Sequence, residues 1–134
     1  MPKYLLDSSF LIDYFNEKEA GAAGPALRFR RQLPQNVRFY GSIVSLAELV
    51  EGAEDTEEAS RRFYQAVTCI GLFQQHGWRA GLLQKQGREQ GRRIGENDAW
   101  IAATAALAHL TLVGDDDAAF ADRPGVNYVN FRRN

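Results

Sequence analysis

Residues 97–117 read NDAWIAATAALAHLTLVGDDD. An alanine-rich segment with Asn97 and Asp98 at its head predicts a helix running to about His109. The apolar run behind it, Leu110 to Gly114, predicts a strand. A helix that leads straight into a strand must double back along it. A helix of about 12 residues spans roughly 18 Å, and a strand of about five residues roughly 17 Å. The lengths match, so Asp98 returns to the edge where Asp115, Asp116 and Asp117 leave the strand. Three adjacent like charges repel one another, and a folded domain needs a use for them.

Working outward, "KYLLD" predicts a first strand that ends at Asp7, and "SFLIDYFN" a helix capped by Ser8 or Ser9. "EKEAGAAGP", residues 17–25, reads as a flexible connection, followed by a helix over about 25–33. "RFYGSIV" is a second strand and "SLAELVEGA" a helix with Glu48 in its first turn. "TEEASRRFYQAV" is helical, "TCIGLF" a third strand, and residues of about 75–92 a long helix. After the strand at Leu110–Gly114, "VNYVNF" closes as a fifth. Strands alternating with helices predict an α/β domain around a mostly parallel five-stranded sheet. In such sheets, sites form outside the carboxyl ends of the strands. Asp7, Glu48, Asp98 and the aspartates of 115–117 all fall on that edge.

Each acid also has a structural reading. "SLAE", Ser45 to Glu48, fits a capping box. Asn97 and Asp98 suit a helix start, Asp7 can cap the helix behind it, and "GDDD" can be a solvated turn. The shared edge argues against four coincidences.

With 134 residues the chain is expected to form one domain, 1–134. The lone Cys69 excludes an internal disulfide. The N-terminal residues lack an apolar signal region, and no run reaches membrane-spanning length. A cytoplasmic protein is expected. Net charge is −1, so no strong overall field is present, but the distribution is uneven. Arg79, Lys85, Arg88, Arg92 and Arg93 form a basic stretch. It reads either as a solvated helix face or as a flank that holds phosphates.

Clustered carboxylates have few options. Two unit charges about 4 Å apart repel by roughly 4 kcal/mol at an effective dielectric of 20. The group must spread, protonate or bind cations, and all-oxygen ligation suits Mg²⁺ or Mn²⁺. Such a site suits attack of an activated water on a phosphodiester. Other plans find little support. His76 and His109 lie outside the acidic segments, and Cys69 has no evident base. Phosphate-binding glycine loops and the calcium-loop spacing are absent.

"YLLDSSFLIDYF", "SIVSLAELVEG", "IGENDAWIAATAALAHLTLV" and "GDDDAAF" resemble, in order and over nearly the whole chain, the motifs of PIN-domain ribonucleases. The resemblance is strongest to the VapC toxins of prokaryotic toxin–antitoxin pairs. It implies a three-layer α/β/α sandwich and Mg²⁺- or Mn²⁺-dependent cleavage of RNA. Carried over residue by residue, the catalytic acids fall on Asp7, Glu48, Asp98 and Asp116, with Asp7, Asp98 and Asp116 as metal ligands. Counting from Val113 and Phe120 selects Asp116, with Asp115 the next candidate and Asp117 expected to be solvated. Ser8 or Ser9 matches the small polar position after the first acid, and Asn97 supports Asp98. Gly114 departs from the family, which often has a hydroxyl residue there. The resemblance also implies a cognate antitoxin and a homodimer. Phe10, Leu11, Tyr14, Phe15, Leu46, Leu49 and Val50 either line a groove for an antitoxin segment or fill the core.

The alternatives are a PIN nuclease of RNA maturation or decay and a catalytically silent PIN-like interaction module. The complete acidic set argues against the silent module. A phosphatase of the haloacid dehalogenase type would need an aspartate where Ser9 stands.

Overall fold

The computed structural model describes residues 2–133. Five strands, β1 (Lys3–Leu6), β2 (Arg38–Ser42), β3 (Thr68–Ile70), β4 (Thr111–Gly114) and β5 (Asn127–Asn130), form one sheet in the order β3-β2-β1-β4-β5. Every pairing is parallel, so the sheet is wholly rather than mostly parallel. The helices are α1 (Ser8–Ala20), α2 (Pro25–Arg31), α3 (Ile43–Glu51), α4 (Thr56–Ala66), α5 (Gln74–Glu89), α6 (Glu96–Leu107) and α7 (Asp117–Phe120). A 3₁₀ turn, Phe131–Arg133, follows β5. Among the described residues no helix is long and apolar enough to cross a membrane.

The two central strands show why the sheet is covered on both faces. Leu5 is in register with Leu112, and Leu6 with Val113. Successive strand residues point to opposite faces. Leu5 and Leu112 therefore join one core with Leu83, Ile101, Phe120 and the alanines of α6. Leu6 and Val113 join the other with Phe10, Leu11, Phe29, Phe63 and Phe131. Ala99, Ala102, Ala103 and Ala105 are wholly buried, so α6 lies against its neighbours at the distance a methyl group permits.

Several local expectations are corrected. Residues 17–25 are not a free connection. Helix α1 runs through Ala20 and stops at Gly21, whose φ of 68° a residue with a Cβ adopts at a cost. Glu17 then reaches forward and accepts N–H bonds from Gly24, Ala26 and Leu27, which ties down the start of α2. Strand β2 ends at Ser42, and Ile43 and Val44 already belong to α3. Strand β3 stops at Ile70, because Gly71 and the exposed Leu72 and Phe73 leave the sheet. The turn α7 has too few residues to show a helical period, and the sequence reading passed over it.

Chain order creates the site. From β1 the chain moves outward through β2 to β3, then returns to the far side of β1 with β4. The switch point lies between β1 and β4, where crossovers diverge and leave a crevice at the carboxyl edge.

Candidate active site

Asp7 directly follows β1, and its N–H still bonds the Val113 carbonyl of β4 at 2.9 Å. It is the N-cap of α1 in place of Ser8 or Ser9, but its carboxylate caps nothing. Oδ2 instead accepts the Ser9 hydroxyl at 3.1 Å. The side chain is buried. Burial is the main cause that pushes its carboxyl from the ordinary value near 3.8 up to about 7, with the charges of Asp98 and Glu48 adding to it against the Ser8 N–H and Ser9 hydroxyl.

Glu48 is not a cap either. Ser42 caps α3 through its hydroxyl, which accepts the Val44 N–H at 3.0 Å. Ser45 lies inside the helix with a buried hydroxyl that has no partner among the described residues. The capping box read from "SLAE" therefore does not form, and Glu48 sits in the second turn. Its two oxygens take the Ser8 hydroxyl at 2.6 Å and the Asn97 amide at 3.4 Å. One side chain of α3 thus links α1 to α6.

Asp98 is in the first turn of α6, which Gly95 caps without a side chain. Burial holds its carboxyl above the usual range, and the charges of Asp116 and Glu48 raise it further. Asp116 caps α7, its Oδ1 accepting the Ala119 N–H at 3.1 Å. The four carboxylates come from four segments and act on one another electrostatically. No Lys or Arg among the described residues pairs with any of them; every ion pair lies elsewhere. The amino ends of α1, α3, α6 and α7 all open on this edge, and their partial positive charges ease the crowding.

The other two aspartates of the run are engaged. Asp115 pairs with Arg132 at 2.9 Å. Asp117, expected to be solvated, accepts the Tyr128 hydroxyl at 2.8 Å and the Asn130 amide at 3.0 Å, and pairs with Arg133. Asp13, Tyr128, Asn130, Arg132 and Arg133 were all missed from sequence. The available signal was the polar alternation of "NYVNFRR" at the carboxyl end of an edge strand.

The basic stretch divides. Lys85 is paired with Glu89 at 2.5 Å. Arg92 donates to the carbonyls of Ala118 and Ala121, at 3.3 and 2.9 Å, and so braces α7. Arg79 is half-buried, its Nε without a partner among the described residues. Of the five, Lys85, Arg88 and Arg93 are exposed, and Lys85 shares its charge with Glu89. Gly87 is required between them: a Cβ there would lie 2.5 Å from the Arg92 carbonyl oxygen.

His76 closes the start of α5, its Nδ1 accepting the Phe73 N–H at 3.0 Å, and His109 ends α6 at a φ of 53°. Both are helix-end residues. Of the proposed groove, Phe10 and Leu11 are core. Phe15 and Leu49 do line a cleft of about 580 Å³ between α1, α3 and α4, with Ile12 and Glu48 on its wall.

A switch-point crevice holding one acid after the first strand, one on a helix after the second and one at the head of the helix before the fourth matches a known pattern. A family model described as PIN domain covers residues 4–126. The chain belongs to the PIN domain family. Ribonuclease VapC2 of Haemophilus influenzae is 29% identical over 123 residues, 87% of this chain and 88% of that protein. Among solved structures, a toxin–antitoxin complex from Klebsiella pneumoniae shares 26% identity with this PIN domain at a TM-score of 0.69, covering 92% of this chain and 94% of that one. VapBC2 of Rickettsia felis, bound to a promoter DNA fragment, aligns at a TM-score of 0.77 and 22% identity, covering 96% and 98%.

The acids of this PIN domain fit a hard divalent cation by donor chemistry: oxygen ligands, no competing protein cation, and at Asp7 and Asp98 carboxyls raised by burial first and by neighbouring charge second. Among the described residues, no group of three or more His, Cys, Asp or Glu side chains stands close enough to grip one ion as placed.

Proposed function

We propose that the protein is a metal-dependent endoribonuclease and the toxin of a toxin–antitoxin pair. The observation that carries this is the convergence of Asp7, Glu48, Asp98 and Asp116 at the switch point without a protein cation. Asp7, Asp98 and Asp116 would hold Mg²⁺ or Mn²⁺. When bound, the ion supplies charge stabilisation at the phosphodiester and a more acidic water. Ser9 orients Asp7. Glu48, held by Ser8 and Asn97, is aimed by two hydrogen bonds and is available to take a proton from an attacking water. Arg88 and Arg93 are the exposed cations suited to the RNA backbone.

The VapC name of the H. influenzae relative and the toxin–antitoxin complexes among the neighbours support the toxin reading. The cleft beside α1, α3 and α4 has Phe15 and Leu49 for an apolar antitoxin segment, with Glu48 near enough to meet a basic side chain. A homodimer is supported by the exposed apolar residues Leu72, Phe73 and Trp78, since monomers rarely leave large apolar patches in water.

The test is expression in bacteria with and without the neighbouring gene product, followed by sequencing of new RNA 5′ ends. Growth arrest and discrete new ends, both suppressed by the neighbour and absent for Asp98→Asn, are expected. Discrete ends without growth arrest would favour an RNA-processing nuclease. New ends that persist with Asp98→Asn would overturn the site.

A further inference from the structure

Two of the three carboxylates after β4 are taken up by residues 132 and 133. Arg132 Nε donates to Asp115 Oδ2 at 2.9 Å, and Nη2 of the same guanidinium pairs with Asp13 on α1. Asn130 strengthens the join: its Oδ1 accepts the Arg132 N–H at 2.9 Å, and its amide reaches the Asp115 carbonyl oxygen at 3.4 Å. Asp116, between the two paired aspartates, meets no cation, and its Oδ1 accepts the Ala119 N–H at 3.1 Å at the head of α7.

We propose that Arg132 is a positioning residue for the acid site: by bridging Asp115 to Asp13 it turns Asp115 away, and leaves Asp116 as the aspartate that faces Asp98. This rests on the metal-site reading above. The physical case is the charge around Asp13. Burial holds its carboxyl above the usual range, and Glu17 and Asp115 push the same way, with Arg132 opposing them. Without Arg132, Asp13 on α1 and Asp115 in the loop after β4 are left as two carboxylates with no cation between them. That loop carries Asp116. A guanidinium fork can serve two carboxylates at once, which an ammonium does less well.

The experiment is a cycle of Arg132→Ala in the wild-type and Asp13→Asn/Asp115→Asn backgrounds, read by calorimetric titration of Mn²⁺ and by thermal unfolding in EDTA. Loss of a residue that orients a ligand typically weakens metal binding roughly ten- to a hundredfold. That loss is expected for Arg132→Ala in the wild-type background and should vanish in the other, where no repulsion remains. The melting temperature in EDTA should follow the same pattern. Arg132→Lys should be intermediate. Unchanged Mn²⁺ affinity, or a loss that persists when Asp13 and Asp115 are neutral, would overturn the proposal. Should Arg132→Ala fail to fold, recovery of folding in the neutral background supports the sorting role and continued failure overturns it. If the wild type itself binds no Mn²⁺, the metal-site reading fails, and the EDTA cycle alone then decides whether Arg132 restrains the two aspartates.

Discussion

Asp7, Glu48 and Asp116 meet only hydroxyl, amide and N–H groups, and Asp98 has neither a side-chain hydrogen bond nor an ion pair among the described residues. Asp13, Asp115 and Asp117, at the same end of the sheet, are held by Arg132 and Arg133. The difference is one of pairing more than of residue type. Where carboxylates shape the loop, the chain supplies an arginine for them. Where none is supplied, the field stays negative and a mobile cation has a reason to enter. Crowded, partly desolvated carboxylates such as Asp7 and Asp98 cost stability, and such costs concentrate at functional sites.

The largest effect is expected at Asp7 and Asp98. Asp7→Asn and Asp98→Asn should each reduce RNA cleavage by at least about a hundredfold, as loss of a group that acts on the reacting atoms does. Stability should move the other way. The folded-state value of Asp7 lies near 7, above the unfolded one near 3.8. The folded protein therefore binds this proton more tightly, and without metal its stability falls as pH rises between those values. A shift of this size corresponds to a few kcal/mol at most, at about 1.4 kcal/mol per unit. In EDTA, Asp7→Asn should melt above the wild type at pH 8, with the gap closing toward pH 4. An equal gap at both pH values would show that Asp7 is not desolvated as described.

Glu48→Gln comes next. Because Ser42 caps α3, the helix should be unaffected. Gln can still bond both Ser8 and Asn97, with its N–H donating to the Ser8 oxygen and its oxygen accepting from Asn97, but it loses the charge and the basic oxygen. Cleavage should fall roughly ten- to a hundredfold, while the melting temperature in EDTA holds or rises because a charge that repels Asp7 and Asp98 is gone. Wild-type activity would move Glu48 from the unpaired group to a purely structural one.

The basic residues extend the same contrast. Removing the exposed pair, Arg88→Gln/Arg93→Gln, should weaken RNA binding across sequences and flatten its log–log salt slope by up to about 1.4, at about 0.7 per phosphate contact. Arg92→Gln should instead lower stability by freeing α7. Identical behaviour of the two variants would mean that the braces on α7 are dispensable.

The smallest effect on chemistry is expected at Asp117. Asp117→Ala should lower the melting temperature, because Tyr128, Asn130 and Arg133 lose their shared acceptor, while Mn²⁺ affinity stays near that of the wild type. Loss of metal binding in this variant with Asp116→Ala silent would show that the two aspartates are assigned the wrong way round.

Much of the fold was legible because it rests on periodicity. Alternating strand and helix patterns, and the matched lengths of α6 and β4, bring Asp98 to the edge where Asp7 and the aspartates of 115–117 emerge. Those are local regularities that a sequence displays directly. Helix starts were read less well. Ser42 rather than Ser45 caps α3, and Asp7 rather than Ser8 or Ser9 begins α1, because a cap depends on where the strand before it ends. That endpoint is set by pairing with a neighbouring strand: Leu6 pairs with Val113, and Asp7 still donates to it.

That four acidic segments share one edge of a parallel sheet follows from the order of residues alone, since chain direction and element length suffice for that. What surrounds each carboxylate is set by packing between distant segments. Arg132 is 17 residues from Asp115 and 119 from Asp13 in the chain, and no local pattern joins residues so far apart. Which acid is paired and which is left bare depends on distances of a few ångströms, and those exist only after the sheet has brought β5, β4 and α1 together.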